Sequence, residues 1–247
     1  MPVSEKLTDA VRRSTEAWRE KMLRRYTPTE RLASLGLDNT RIVLQRIDSL
    51  WTSLGHDRVR AKVWTIERQG HKGEPCLLML MYPSIEDTEE ESKSTMKDKK
   101  FTVLEAEGVC LQTAVRYIEG EDISTTKNMA QVATGDGQTY IIDMYTYGLM
   151  VTPPVAKELG VPAAVVVRDQ EGGRWFVLKK NFHHNLELVD REKRPVLEVG
   201  GLSLREALWQ SLGSRTFGPR RRLPIRHLDK AVPKEVVLFL ASRALYL

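Results

Sequence analysis

The side chains best equipped for chemistry in this sequence are the cations of one short stretch. Arg215, Arg220, Arg221, Arg222, Arg226 and Lys230 fall within residues 215–230, where Gly218, Pro219 and Pro224 hold the chain out of helix. Each guanidinium presents a planar fork of donors that matches phosphate oxygens, so several in one connector suit a polyphosphate backbone. Contacts of that kind weaken steeply with salt. Phe217 and His227 add rings on which bases could stack. The same arginines could instead pair with the protein's own acidic stretch from Glu86 to Glu91, with an acidic partner, or with water alone.

Other candidate chemistry is weaker. His183 and His184 are adjacent, and neighbouring residues of an extended segment point to opposite faces, so the pair cannot clamp one metal ion. The 2 cysteines, Cys76 and Cys110, lie in apolar strand-like surroundings outside any C-x-x-C spacing and read as buried, reduced thiols. Gly135 and Gly172 sit in hairpin turns and not between a strand and a helix, which is where a phosphate cradle would need them. Glu119, Glu121 and Asp122 could exchange protons but read as solvent contacts beside Gly120. Tyr140, Tyr145 and Tyr147 could form a stacking platform or could pack with a wet hydroxyl. No Gly-x-Ser-x-Gly elbow or Cys/His signature is present, so the sequence leans towards a non-catalytic protein with no cofactor or metal expected, and an enzyme on an unrecognised site is the remaining alternative.

Elements must position these groups. From Val3 to Tyr26, apolar residues recur at helical spacing while Arg12, Arg13, Arg19, Lys21, Arg24 and Arg25 crowd the outer face. Thr27-Pro28-Thr29-Glu30 matches a capping box with proline at the first helical position, which predicts a short helix ending at Gly36. A third helix is predicted from Asn39 to Leu54, stopped by Gly55. The last two helices and the Leu35-Gly36-Leu37 turn resemble a helix-turn-helix, a likeness implying that Asn39, Thr40, Arg41 and Gln45 would face DNA bases.

Beyond Arg58 the pattern changes to strands. Val59, Ala61 and Val63 alternate with Arg58, Arg60 and Lys62, predicting a half-buried strand with a basic exposed side. Strands follow at 75–82, 101–105, 109–118, 129–134, 138–147, 163–167, 174–180, 186–189 and 196–199, with turns at Gly70-His71-Lys72-Gly73, Gly135-Asp136-Gly137 and 190–194. The segment Tyr140 to Lys180, read as strand, helix, Gly-Val-Pro, strand, Gly-Gly turn and strand, resembles the second half of a thioredoxin-type fold without a redox pair. Ser203-Leu204-Arg205-Glu206 is a second capping box for a helix ending at Gly213. Pro233 starts a final helix whose Val236, Val237, Leu240 and Ala244 must dock on the protein's own core or on a partner.

The expected fold is therefore α+β: an N-terminal three-helix unit (1–56), then an α+β domain (57–247) with a largely antiparallel, hairpin-rich sheet. Two C-terminal helices would bracket a basic connector at 215–234. With 247 residues, 41% hydrophobic and 29% charged, the composition is that of a globular protein, and the longest apolar run, Cys76 to Tyr82, is too short to insert in a membrane. The N-terminus lacks a secretory apolar core, which predicts an intracellular protein. A net charge of +5 favours acidic partners. The expectation is nucleic-acid binding by backbone contact through Arg215, Arg220, Arg221, Arg222, Arg226, Lys230, Arg12 and Arg13. Protein partners could engage the terminal helices, in a larger assembly.

Overall fold

The computed structural model describes residues 3–50, 60–71, 73–84, 99–119, 125–147, 165–171, 175–180, 186–200 and 222–244. Their α-helices are α1 (Val3–Arg25) and α2 (Lys234–Ala244). Their strands are β1 (Thr40–Ser49), β2 (Arg60–Arg68), β3 (Pro75–Pro83), β4 (Lys99–Glu105), β5 (Gly108–Glu119) and β6 (Thr125–Ala133), followed by β7 (Thr139–Tyr147), β8 (Val165–Asp169), β9 (Trp175–Lys180), β10 (Leu186–Val189), β11 (Pro195–Val199) and β12 (Arg222–His227). Each strand pairs antiparallel with the next in sequence, and β12 pairs with β1, so the sheet closes into a barrel without free edges.

Side chains alternate across the barrel wall. Ile42, Trp64, Ile66, Met79, Met81, Phe101, Val103, Val115, Ile142, Val167, Leu188 and Ile225 face inward and share one buried core. A barrel of this many strands is wider than wall side chains alone can fill, and a helix occupies the space. Val236 through Ser242 are buried without interruption, which requires cover on every side of α2. α2 also touches β6 and β11, on opposite sides of the ring. Phe239 meets Phe101 of β4 edge-on, with centroids 5.1 Å apart and planes at 89°. The final helix docks in the lumen of its own barrel.

The outer wall is covered locally by α1. Trp18 and Met22 pack on Ala61, Val63, Leu78, Leu80, Tyr82 and Leu104. Trp18 Nε1 donates to Asp48 at 2.8 Å, and Ser14 Oγ to the Leu50 carbonyl at 3.1 Å. With α1 outside and α2 inside, β2 and β3 are buried on both faces, which accounts for the unbroken apolar run Cys76 to Tyr82.

The two ends of the barrel differ. At one end, the turn end, connections are short: 69–74, 106–107, 134–138, 170–174 and 190–194. In the Thr134–Gln138 turn, Gly137 adopts φ 83°, a left-handed conformation that glycine takes without steric cost. Leu32, Leu35, Leu37 and Val232 cover this end of the core. From the other end, the mouth, leave the connections 50–59, 84–98, 120–124, 148–164, 181–185 and 200–221. α2 enters at the turn end, where Lys234 Nζ donates to the carbonyls of Leu32 (2.9 Å) and Ala33 (2.7 Å), and it points towards the mouth.

This architecture overturns the α+β expectation and its three-helix unit. The capping-box residues are attached to the barrel: the Thr29 and Glu30 amides donate to the Cys76 carbonyl at 3.2 and 3.1 Å, and the Glu30 carboxylate accepts two bonds from Arg68 at 2.7 and 2.5 Å. In place of the expected helix, a turn closed by the Leu35 amide on the Arg31 carbonyl at 3.1 Å leads into a short 3-10 helix at Leu37–Asn39. Within the segment read as the third helix, Thr40–Ser49 forms β1, and 51–54 lie outside the described residues. The helix-turn-helix likeness has no recognition helix: Thr40 is buried and donates to the Leu37 carbonyl at 2.7 Å, and Gln45 donates to Thr65 at 2.7 Å. The thioredoxin-like segment supplies β7, β8 and β9, consecutive antiparallel staves of the barrel. The helices read at 155–159 and 203–212 lie outside the described residues.

Candidate anion-binding mouth

Part of the basic connector is barrel wall, because 222–227 forms β12. Arg222 points outward and lies 3.9 Å from Glu67. Arg226 also points outward and is paired with Glu198 across the β11–β12 ladder at 2.7 Å. Lys230 donates to Asp38 and to the His227 carbonyl, each at 2.5 Å. Partial burial of Asp38 works to raise its pKa, but the bonds from Lys230 and the His227 amide (2.6 Å) hold it below the ordinary carboxylate value. Burial, reinforced by Lys230, pushes the His227 pKa down, and Nε2 lies 2.8 Å from the Val232 carbonyl, so the neutral ring with a proton on Nε2 satisfies it. Arg226 and Lys230 tie neighbouring segments together at the turn end. Arg215, Arg220 and Arg221 lie outside the described residues, as do His183, His184 and Glu86 to Glu91.

Arg12 sits on the exposed side of α1 and bridges to Asp9 at 2.6 Å, while Arg13 Nε reaches the Asp9 carbonyl at 3.4 Å. They flank Ser14, whose bond to Leu50 places this part of α1 at the mouth. Arg226 and Lys230 are at the turn end, so the fold separates these two sets of cations. Of the tyrosines, Tyr140 faces the core and its hydroxyl donates to Gln138 at 3.1 Å. The side chains of Tyr145 and Tyr147 lie outside the described set.

A different group of cations converges at the mouth. On β2, Trp64 and Ile66 face the lumen, so Arg60 and Lys62 do as well, while Ala61 and Val63 turn outward under α1. Ala61 and Val63 are buried and Arg60 is exposed, as the alternation suggested, but the cover over the apolar set is α1 on the outer wall. On β4, Lys99 shares the inward face of Phe101 and Val103. Arg243 is one helical turn beyond Phe239, about 6 Å further along α2, and Lys99 is two residues beyond Phe101, about 7 Å along β4. Both therefore stand one layer above the Phe101–Phe239 contact. Burial, then the charges of Arg243, Lys99 and Arg60, push the Lys62 pKa down to about 7. Ile47, the register partner of Lys62, is 44% exposed.

At the turn end lies an open cleft of about 720 Å³ lined by Asp136, Asp169, Glu171, Glu235 and Lys230. Two of its carboxylates hold the hairpin: Glu235 accepts from the Gly135 amide at 3.1 Å, and Asp136 accepts from Thr134 and from the Gln138 amide. Among the described residues, no His, Cys, Asp and Glu cluster could hold a metal ion. Cys76 is buried and donates to Glu30 at 3.1 Å. Burial first, then the Glu30 carboxylate, raise its pKa to about 11. Burial first, then Glu105, take Cys110 to about 12, so neither thiol is activated as a nucleophile.

No helix of the described residues is long and apolar enough to cross a membrane. The fold and its basic mouth define the class of object: an antiparallel barrel plugged by its own C-terminal helix. No protein-family model, curated protein or solved structure matches the chain.

Proposed function

We propose that this is a non-catalytic protein that binds the phosphate backbone of nucleic acid at the mouth of its barrel, as a subunit of a larger assembly. The observation that carries this reading is the convergence of Arg60, Lys62, Lys99 and Arg243 at one accessible end of a lumen that α2 otherwise fills. Asp48, the carboxylate of β1 at this end, faces outward and is held by Arg46 at 2.6 Å and by Trp18. Arg12 and Arg13 at the same end extend the positive surface, in keeping with the net charge of +5.

Binding of a single-stranded oligonucleotide measured across a salt series tests the proposal. The expected result is an affinity that falls with salt, with a shallower slope and weaker binding after Arg60→Ala, Lys99→Ala and Arg243→Ala combined. Absence of salt-sensitive binding, or a triple variant that binds as tightly as the parent, contradicts it.

A further inference from the structure

We infer that the exposed flank of α1 beside β1 binds the phosphate backbone of a nucleic-acid duplex; this carries the backbone-binding reading above to a second surface and rests on it. The helix is where the charge of the chain is concentrated. α1 holds 7 cations against 4 carboxylates in its 23 residues, a net +3 out of +5 for the whole chain. These cations are also sorted. Residues four apart line up as one ridge on a helix, and Arg13, Ala17, Lys21 and Arg25 form such a ridge, exposed along its whole length. The next ridge, Ser14, Trp18, Met22 and Tyr26, is the one that packs on the barrel. The ridge on the other side, Arg12, Glu16, Glu20 and Arg24, carries carboxylates and is largely answered, by Arg24 on Glu20 at 3.5 Å and Arg12 on Asp9 at 2.6 Å.

The basic ridge has no such answer among the described residues. Arg13 reaches only the Asp9 carbonyl at 3.4 Å, Arg25 lies over the Tyr26 ring at 5.5 Å, and Lys21 makes no ion pair. The bonds of Ser14 to Leu50 and of Trp18 to Asp48 set this flank beside the end of β1. Asp48 is the carboxylate there, and it is already taken by Arg46 at 2.6 Å and by Trp18 at 2.8 Å.

Shape selects the occupant. The ridge is convex and holds its cations in a line about 18 Å long, a length over which one strand of a duplex passes about five phosphates. It presents no open ring on which an unstacked base could lie, because Tyr26 is half-buried and covered by Arg25. Contact is therefore with backbone alone, which suits a duplex whose bases are hidden. Ala17 at the middle of the ridge lets the backbone approach between Arg13 and Lys21. An acidic protein would need apolar surface at the centre of its interface, and beyond Ala17 this ridge has none.

The experiment measures binding of a short duplex, and of one of its strands alone, by fluorescence anisotropy across a salt series. The parent is expected to prefer the duplex. Arg13→Gln/Lys21→Gln/Arg25→Gln should reduce the slope of log affinity against log salt by about 2–3, since each neutralised duplex phosphate contributes about 0.9, and should weaken duplex binding at least about tenfold at low salt. Glutamine suits a helix, so the melting temperature should stay that of the parent. Ala17→Glu, which sets a carboxylate between Arg13 and Lys21 without removing a side chain, should weaken duplex binding independently, and Arg226→Ala should leave the slope unchanged. Duplex binding that survives both ridge variants, yet falls in Arg60→Ala/Lys99→Ala/Arg243→Ala, overturns the ridge and leaves the backbone reading standing. Preference for the single strand overturns the duplex as occupant. Binding of polyglutamate through the ridge, with no nucleic acid bound, overturns both and marks an acidic protein partner. No binding of any of these probes also overturns both.

Discussion

The two ends of the barrel use cations in opposite ways. At the turn end, Arg68, Lys230 and Lys234 each bond a carboxylate or carbonyl of a neighbouring segment, and their role is to fix chain connections. At the mouth, Arg60, Lys99 and Arg243 act on Lys62 as like charges, and burial first, then these three, depress its pKa. A residue's charge is thus a poor guide to its task. Under the proposed function, the turn-end cations are structural and those at the mouth bind.

The comparison depends on α2 threading the lumen, and breaking that element should produce the largest effect. Phe239→Ala removes the ring that meets Phe101 and leaves a cavity in the enclosed core, so unfolding in urea should show a loss of about 3–5 kcal/mol. A loss below about 1 kcal/mol would mean that the helix is not enclosed.

Lys62→Met sharpens the comparison through pH. The folded pKa of Lys62 is depressed to about 7 from 10.5, so between these values the unfolded chain binds the extra proton and stability rises with pH. The cost of burying the charged amine is fully present below pH 7. The two thiols, with raised folded pKa values, oppose this rise above pH 9, where the unfolded thiols begin to ionise. Thermal melts from pH 7 to 8.5 should therefore show a rising melting temperature in the parent, and a higher, flatter one after Lys62→Met. A parent that is flat over this range would remove the crowded lysine from the account.

On the outer wall, Trp18→Phe should cost about 1 kcal/mol by losing the bond to Asp48 while keeping the ring against Tyr82, whose centroid is 6.2 Å away. The smallest effect belongs to the turn end. Arg68→Ala breaks a partly exposed pair with Glu30 and should shift the urea midpoint least of the set. The bond from Arg68 is the chief reason the Glu30 pKa is lowered, so this contribution is present above pH 4.5 and fades as acid protonates the carboxylate. A change several times larger in either variant would indicate that the outer connections, and not the lumen, carry the stability.

Much of the wall was legible in the sequence because period-two patterning and turn chemistry are local. The Gly135-Asp136-Gly137 turn, the 190–194 turn and the run Pro75 to Tyr82 all appear where the residues put them. The start of the last helix at Pro233 was equally plain. β1 was misread because Ile42, Val43 and Leu44 are apolar on consecutive positions and the bulge between Leu44 and Arg46 shifts the alternation. A strand covered on one side and lumen-facing on the other loses the contrast that marks it. The capping box failed because Thr29 and Glu30 found partners on Cys76 and Arg68, far away in sequence.

The mouth was hidden for a related reason. The alternation of Arg58, Arg60 and Lys62 with Val59, Ala61 and Val63 is visible, but which set faces the interior depends on α1 covering the outer wall and on ring closure, and neither is local. Lys99 and Arg243 lie far apart in sequence and meet Lys62 only through the barrel and its plug. The arginine run around Arg222 drew notice by its density, yet Arg222 and Arg226 belong to a strand and face the carboxylates Glu67 and Glu198.

The most direct test sets one end against the other in a single binding assay. A labelled single-stranded oligonucleotide is titrated at fixed low salt with the parent, with Arg60→Ala/Lys99→Ala/Arg243→Ala, and with Arg226→Ala/Lys230→Ala. The account predicts at least about a tenfold loss for the mouth variant and no more than a twofold change for the turn-end variant. Equal losses at the two ends, or a loss confined to the turn-end variant, would contradict it.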